Sequence, residues 1–300
     1  MSGDHPDRED IAESIVPWIA VRYGRERIHP KVAETIIETI PHRIAFFDSL
    51  NMDMHPTWGT RVVPLFMAAA NPLQEGFMRI VNHSATPGTV RIEATDDAGR
   101  ASMPVTLALD AWAAVHLNSN DLESGNAAKG LPDGVGAGSG NWRLRLDTEL
   151  LIEALAYIRT PDGFVTSVHD LVVNHGARHH VPIFNPGSNE NQQSILRVAN
   201  PGPESTAVTI VGYDDSGSRA PSGDVRLTLM PRQARTITAQ ELEIGAHWFD
   251  GSLGDGQGKW RLFLASDRPI QVMNLMQTPT GHLTNLSTST STIDYVPPPP

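Results

Sequence analysis

The sequence predicts a mainly β protein, two tandem β-sandwich repeats behind a short α-helical segment, and three observations lead there. First, the wording GAGSGNWRLRL at 136–146 returns as GDGQGKWRLFL at 254–264, so that Trp260 follows Trp142 by 118 residues. Val63-Pro64-Leu65-Phe66 returns as Val181-Pro182-Ile183-Phe184 at the same offset, and Thr160-Pro161-Asp162-Gly163 as Thr278-Pro279-Thr280-Gly281. A fixed period of this kind marks a duplicated structural unit. Second, from Val62 onwards apolar and polar residues alternate over runs of five or six, the pattern of half-buried strands. Third, short turn signals such as Asn82-His83-Ser84 and Asp96-Asp97-Ala98-Gly99 separate the runs, which suits a sandwich better than a parallel α/β sheet.

Length agrees with the repeat. Three hundred residues at roughly 100–200 per domain make two domains, each large enough for its own core, with the start of the chain left over. A net charge of −11 without a basic run argues against nucleic acid and against an anionic membrane surface. The absence of cysteine excludes disulfides and thiolate metal sites, and it suits either the cytosol or a bacterial exported protein that folds without staples. No apolar run approaches the ~20 residues that cross a bilayer. The first residues, MSGDHPDREDIAES, have no signal-peptide pattern, so an exported protein would carry its signal upstream of Met1.

In chain order, Ile11, Ile15, Trp18, Ile19 and Arg22 recur at three- and four-residue spacing and predict a helix over 9–23, with Pro17 inside the pattern and Gly24 placed to end it. Helices over 31–39 and 44–50 follow, interrupted by Pro41. Residues 1–60 form the helical segment and 51–61 its joint. The first repeat, 61–174, holds strands at 62–66, 77–81, 90–94, 105–109, 112–117, 142–146, 152–157 and 164–169. About eight short antiparallel strands read as a sandwich of immunoglobulin or fibronectin-III type. A linker at 175–180 leads to the second repeat, 181–290, with strands at 195–199, 208–213, 225–229, 235–239, 260–264, 270–275 and 282–286. Two insertions after Gly217 shift the offset to 120, and it returns to 118 by Trp260; such insertions belong in surface loops. Residues 291–300 form a Pro-rich tail.

Several residues carry candidate chemistry. The glycine-rich loops before Trp142 and Trp260 lack a following Gly-Lys-Ser/Thr and lead into strands, so they are read as tight loops and not as phosphate cradles. Both tryptophans are read as core anchors, with sugar binding the rival reading; Trp→Ala at either is expected to cost ~3–5 kcal/mol and to leave the other repeat folded. Asp96, Asp97, Asp214 and Asp215 are calcium candidates, against a hairpin-turn reading in which Asp accepts backbone hydrogen bonds. Glu123 and Glu243, in the shared Leu-Glu-x-Gly wording, either complete such a site or cap a turn. His175, His179 and His180 cluster in the linker, without an equivalent in the second repeat. Glu9 and Glu13, four residues apart, share one helical face, either as a solvated acidic first turn or as part of a zinc site.

Two resemblances add expectations. Glu9-Asp10-Ile11-Ala12-Glu13 resembles the glutamate-bearing helix of lethal-factor-like zinc metallopeptidases, which implies Glu9 as metal ligand and Glu13 as its support. No H-E-x-x-H occurs in the chain, so zinc and peptidase activity would belong to a longer protein. The repeat wording, with FMRIVNHSATPGTVRIEATDDAG, LRVANPG and GKWRLFLASDRPIQVMNLMQTPTGHLTNLST, resembles a tandem module near the C-termini of large exported bacterial proteins, among them peptidases and adhesin-like proteins. It covers about 62–290 and implies a secreted or surface location and an upstream catalytic domain as neighbour. The leading expectation is a non-catalytic accessory region. A zinc-peptidase C-terminus and a glycan- or calcium-binding adhesion module, with a protein or glycan partner, are the alternatives.

Overall fold

The computed structural model describes residues 6–23, 25, 28–50, 60–168 and 174–287, with backbone alone for 6–13, 23, 174 and 175. Gly24, the joint at 51–59 and the tail at 291–300 lie outside the described residues. The fold is mainly β, with antiparallel sheets behind a short helical segment.

Three helices open the chain: α1 (Pro6–Tyr23), α2 (Pro30–Thr39) and α3 (Pro41–Ser49). Pro17 lies inside α1 and does not end it. Pro30 and Pro41 sit at helix starts, where the missing N–H has no partner to lose. Trp18, Val21, Ala33, Ile44 and Phe47 form a small core of their own, with the Trp18 and Phe47 rings 5.5 Å apart. Asp48 accepts from Arg22 and from the Trp18 indole, and these bonds hold its carboxyl down at about 2.

The first unit has eight strands: β1 (Thr60–Phe66), β2 (Glu75–Asn82), β3 (Gly88–Asp96), β4 (Val105–Leu109), β5 (Ala114–Asn118), β6 (Trp142–Asp147), β7 (Ile152–Arg159) and β8 (Val165–Ser167). They form two four-stranded sheets, β1-β6-β3-β4 and β5-β2-β7-β8. Alternate residues such as Val105, Leu107 and Leu109 point inwards, and both sheets contribute to one core around Phe66, Ile80, Ile92, Leu117 and Leu144. Between β5 and β6 lies a one-turn helix α4 (Ser119–Ser124), closed by Asn118 and Asp121 as a capping box.

The second unit repeats this order in β9 (Asn174–Phe184), β10 (Gln193–Ala199), β11 (Thr206–Tyr213), β12 (Val225–Leu229), β13 (Ala234–Thr238), α5 (Ala239–Ile244), β14 (Trp260–Gln277) and β15 (Leu283–Asn285). Here the counterparts of β6 and β7 run together as β14, which pairs with β11 in its first half and with β10 and β15 in its second. Residues 175–180, read as a linker, are strand: β9 pairs with β14 from Trp260 to Val272. Backbone pairing needs no apolar pattern, so its polar wording hid it.

The units are not independent cores. Met273, Leu275 and Leu283 of the second pack with the core of the first. A single cooperative calorimetric transition is therefore expected for the β region, and Trp142→Ala and Trp260→Ala are each expected to lower that shared transition by ~3–5 kcal/mol. Two transitions, each moved by only one substitution, would show that the units melt separately.

Candidate functional site

In both units the residues singled out by sequence converge on the end of the sandwich where the glycine-rich loop crosses the tryptophan. Trp142 and Trp260 are buried. A buried indole N–H needs an acceptor, and Glu123 Oε1 supplies it to Trp142 at 2.8 Å, Glu243 Oε1 to Trp260 at 2.9 Å. The same glutamates also receive a loop amide, Ala69 N in the first unit and Gly187 N in the second. The glycines are there for clearance: a Cβ on Gly138 would stand 2.6 Å from the Trp142 ring, and one on Gly256 would stand 2.5 Å from that of Trp260.

The paired aspartates hold the loop from outside. Asp96 Oδ2 accepts Ser139 N at 2.9 Å and Asp97 Oδ2 accepts Asn141 N at 2.9 Å. In the second unit Asp214 Oδ2 accepts Gln257 N at 3.0 Å and Asp215 Oδ2 accepts Lys259 N at 2.8 Å. Each aspartate pair thus forms a carboxylate clip on alternate amides of the neighbouring loop. Burial pushes the Asp96 carboxyl up, but the amides of Ser139 and Arg100 and the Arg100 guanidinium outweigh it and leave it below the usual range. Asp214 is lowered by the Ser216 hydroxyl and then by the Gln257 amide. Among the described residues no group of three or more His, Asp or Glu side chains gathers as a metal site.

The other candidates lie in α1 and β9. Glu9 and Glu13 lie in α1, with side chains outside the described residues, as is that of His175. His179 is buried beside the Gly176 carbonyl, and the His180 ring stacks on Phe263, which its place within β9 explains. Sequence reasoning missed α4 and α5, although Asn118-x-x-Asp121 and Thr238-x-x-Glu241 are capping-box wording.

It also missed the seam between the units. Arg197 Nη2 donates to Asp97 Oδ1 at 2.5 Å, and Ala234 N donates to Asp97 O at 3.1 Å. Buried Arg143 donates to the carbonyls of Asn200 and Arg232; burial, and then the Arg197 guanidinium, push it down to about 10, still charged at neutral pH. A groove of about 480 Å³ runs along the seam between Glu93, Arg143 and Arg145 on one side and Pro201, Arg232 and Gln271 on the other. A second cavity of about 360 Å³ lies beside Asn71, Glu75, Asn120 and Arg159.

No protein-family model matches the sequence, and no curated protein matches it. Among solved structures, the chain is similar to a Bacteroides uniformis β-glucuronidase at 11% identity with a TM-score of 0.16. It is also similar to Bacteroides uniformis β-glucuronidase 2 bound covalently to cyclophellitol-6-carboxylate aziridine, at 10% identity with a TM-score of 0.15. Each match covers 76% of this chain and 26% of the other, so this chain spans about a quarter of those enzymes' length. Overlap this slight carries no argument about chemistry.

Two outcomes are expected. Glu123→Ala and Glu243→Ala, which strand a buried indole N–H, lose ~1–3 kcal/mol in urea denaturation, and the corresponding Gln variants, which keep an acceptor, lose less. Because the Asp96 and Asp214 carboxyls are depressed in the folded state, the stability they contribute is present above the unfolded value of about 3.9 and is lost as pH falls through the lower folded values. The thermal midpoint should hold down to about pH 4 and decline below it, and Asp96→Asn with Asp214→Asn should flatten that decline.

Proposed function

We propose that the chain is a non-catalytic accessory region of a secreted or surface bacterial protein, its two units being sandwiches of immunoglobulin or fibronectin-III type placed beside a hydrolase domain. One observation carries the reading: in both copies the shared Trp, Glu and Asp-Asp residues are engaged with the unit's own loop, which is the use expected of a spacer or presenting module. The docking of the units through Asp97, Arg143 and Arg197 supports a stiff two-unit element that sets distance and direction. The proposed units are 61–174 and a second that begins with β9.

An antibody against residues 60–286 is expected to detect, in the medium or surface fraction of the source organism, a polypeptide larger than these 300 residues. The purified chain is expected to release no product from casein or from chromogenic glycosides. A cytosolic band of the chain's own size, or turnover by the purified chain, would overturn the reading.

A further inference from the structure

The seam between the two units is assembled from parts that recur, unused, at the outer surfaces of both units. On the first unit's side Asp97 receives Arg197, Gly99 faces the carbonyl of Pro231 and Arg143 reaches the carbonyls of Asn200 and Arg232. One repeat further on stand Asp215, Gly217 and Arg261, the same residue types. There they meet no second unit: a Cβ on Gly217 would find no atom within 4 Å, whereas one on Gly99 would run into the Pro231 oxygen. Asp215 and Arg261 are exposed, and Arg261 makes no hydrogen bond or ion pair among the described residues.

The receiving side recurs in the same way. Arg197 in β10 and Asn200 just after it correspond to Arg79 and Asn82 of β2. Arg232, at φ 56°, corresponds to Trp112, at φ 59°, and these are the two described non-glycine residues with positive φ. Met273, Leu275 and Leu283 correspond to Leu155, Tyr157 and Val165. Burial separates the used face from the unused one. Met273 is 2% exposed and Leu283 3%, against 39% for Leu155 and 53% for Val165. Arg197 and Ala234 are buried, while Arg79 and Ala114 are exposed, and Trp112 stands 64% exposed beside them.

A face of a repeat that needed only to be soluble would be polar. The first unit instead keeps an apolar face with an arginine that forms no hydrogen bond or ion pair among the described residues. We propose that this face receives the outer end of the second unit of another copy of this chain, so that copies associate head to tail by repeating the internal seam. Asp215 of one copy takes the place of Asp97 against Arg79 of the next, and Arg261 takes the place of Arg143 over the carbonyls of Asn82 and Trp112. Such a contact joins two different surfaces and leaves one of each free, so it grows into open assemblies or rings.

Two departures set its strength. Leu73, which lies against Gly281, has Asn191 as its counterpart. His282, the counterpart of Phe164, is already stacked on Phe164 within its own chain at 4.5 Å. The intermolecular contact therefore lacks two apolar pieces of the internal one and is the weaker, forming as concentration rises.

Sedimentation of the full chain from micromolar to near-millimolar concentration tests this. The mass of the wild type is expected to climb above that of the monomer. Arg79→Asp, at an exposed side chain, places like charges opposite each other and is expected to raise the apparent dissociation constant on the order of tenfold or more. Asp215→Arg should do the same. An equimolar mixture of the two variants should associate again, because each copy then offers the charge that the other lacks. Asp215 also holds Lys259 N, so Arg79→Asp keeps the test standing should the Asp215 variant misfold by circular dichroism. A wild type that stays monomeric throughout overturns the proposal, as does an assembly that Arg79→Asp leaves unchanged or a mixture of folded variants that stays monomeric.

Discussion

The carboxylate of Asp97 does two jobs, and the relation between the units depends on both. Oδ2 accepts the Asn141 amide and so holds the glycine-rich loop of the first unit closed; Oδ1 takes Nη2 of the Arg197 guanidinium of the second unit, whose Nη1 also reaches Oδ2 at 3.3 Å. An arginine buried this far is tolerated only with a well-placed anion. The loop that must be closed for Trp142 to be covered is therefore the loop that must be closed for the second unit to dock. Folding and docking share a group, and that sharing supports the proposed stiffness of the pair.

The two copies show which parts of the arrangement are intrinsic. The indole–carboxylate bond, the aspartate clip and the glycine clearance over the ring occur in both, with bond lengths that agree within 0.1 Å where they are compared. They belong to the unit. Arg143 and Arg261 have the same neighbours in sequence, yet one is buried and the other exposed. The difference lies in what stands next to each unit, so burial here reports context and residue identity reports design.

Much of this was legible in the sequence because it rests on local pattern. Strands β4 and β12 follow from strict alternation, and the tryptophan anchors from their recurrence. The joined β14 and the long β9 were not legible: β14 runs through the polar Ser266-Asp267-Arg268-Pro269, where the register with β9 breaks, and His175 to His180 are held by backbone pairing, so neither stretch has an apolar period to read. The candidate site was half legible. Asp96, Asp97, Asp214 and Asp215 stood out by composition, but a carboxylate pair looks the same in sequence whether its lone pairs face a cation or a row of amides. Only the spacing of the loop, with Ser139 and Asn141 on the same side of an extended turn, separates these, and that needs the two segments in space.

The length of β9 completes the argument for stiffness. Its counterpart β1 has 7 residues and pairs with β6 alone, whereas β9 has 11 and runs beside both halves of β14. From Asn174 onwards the chain entering the second unit is paired with β14, on both sides of a register break between Ala265 and Ile270. With β8 beside β15, Thr166 donating to the Leu283 carbonyl and Gln74 donating to that of Gly281, the connection is held at both of its ends. A hinge would need residues able to change φ and ψ without breaking pairing. Among the described residues the seam is crossed by paired backbone and packed side chains, so bending the two units apart would break bonds that also hold the second one.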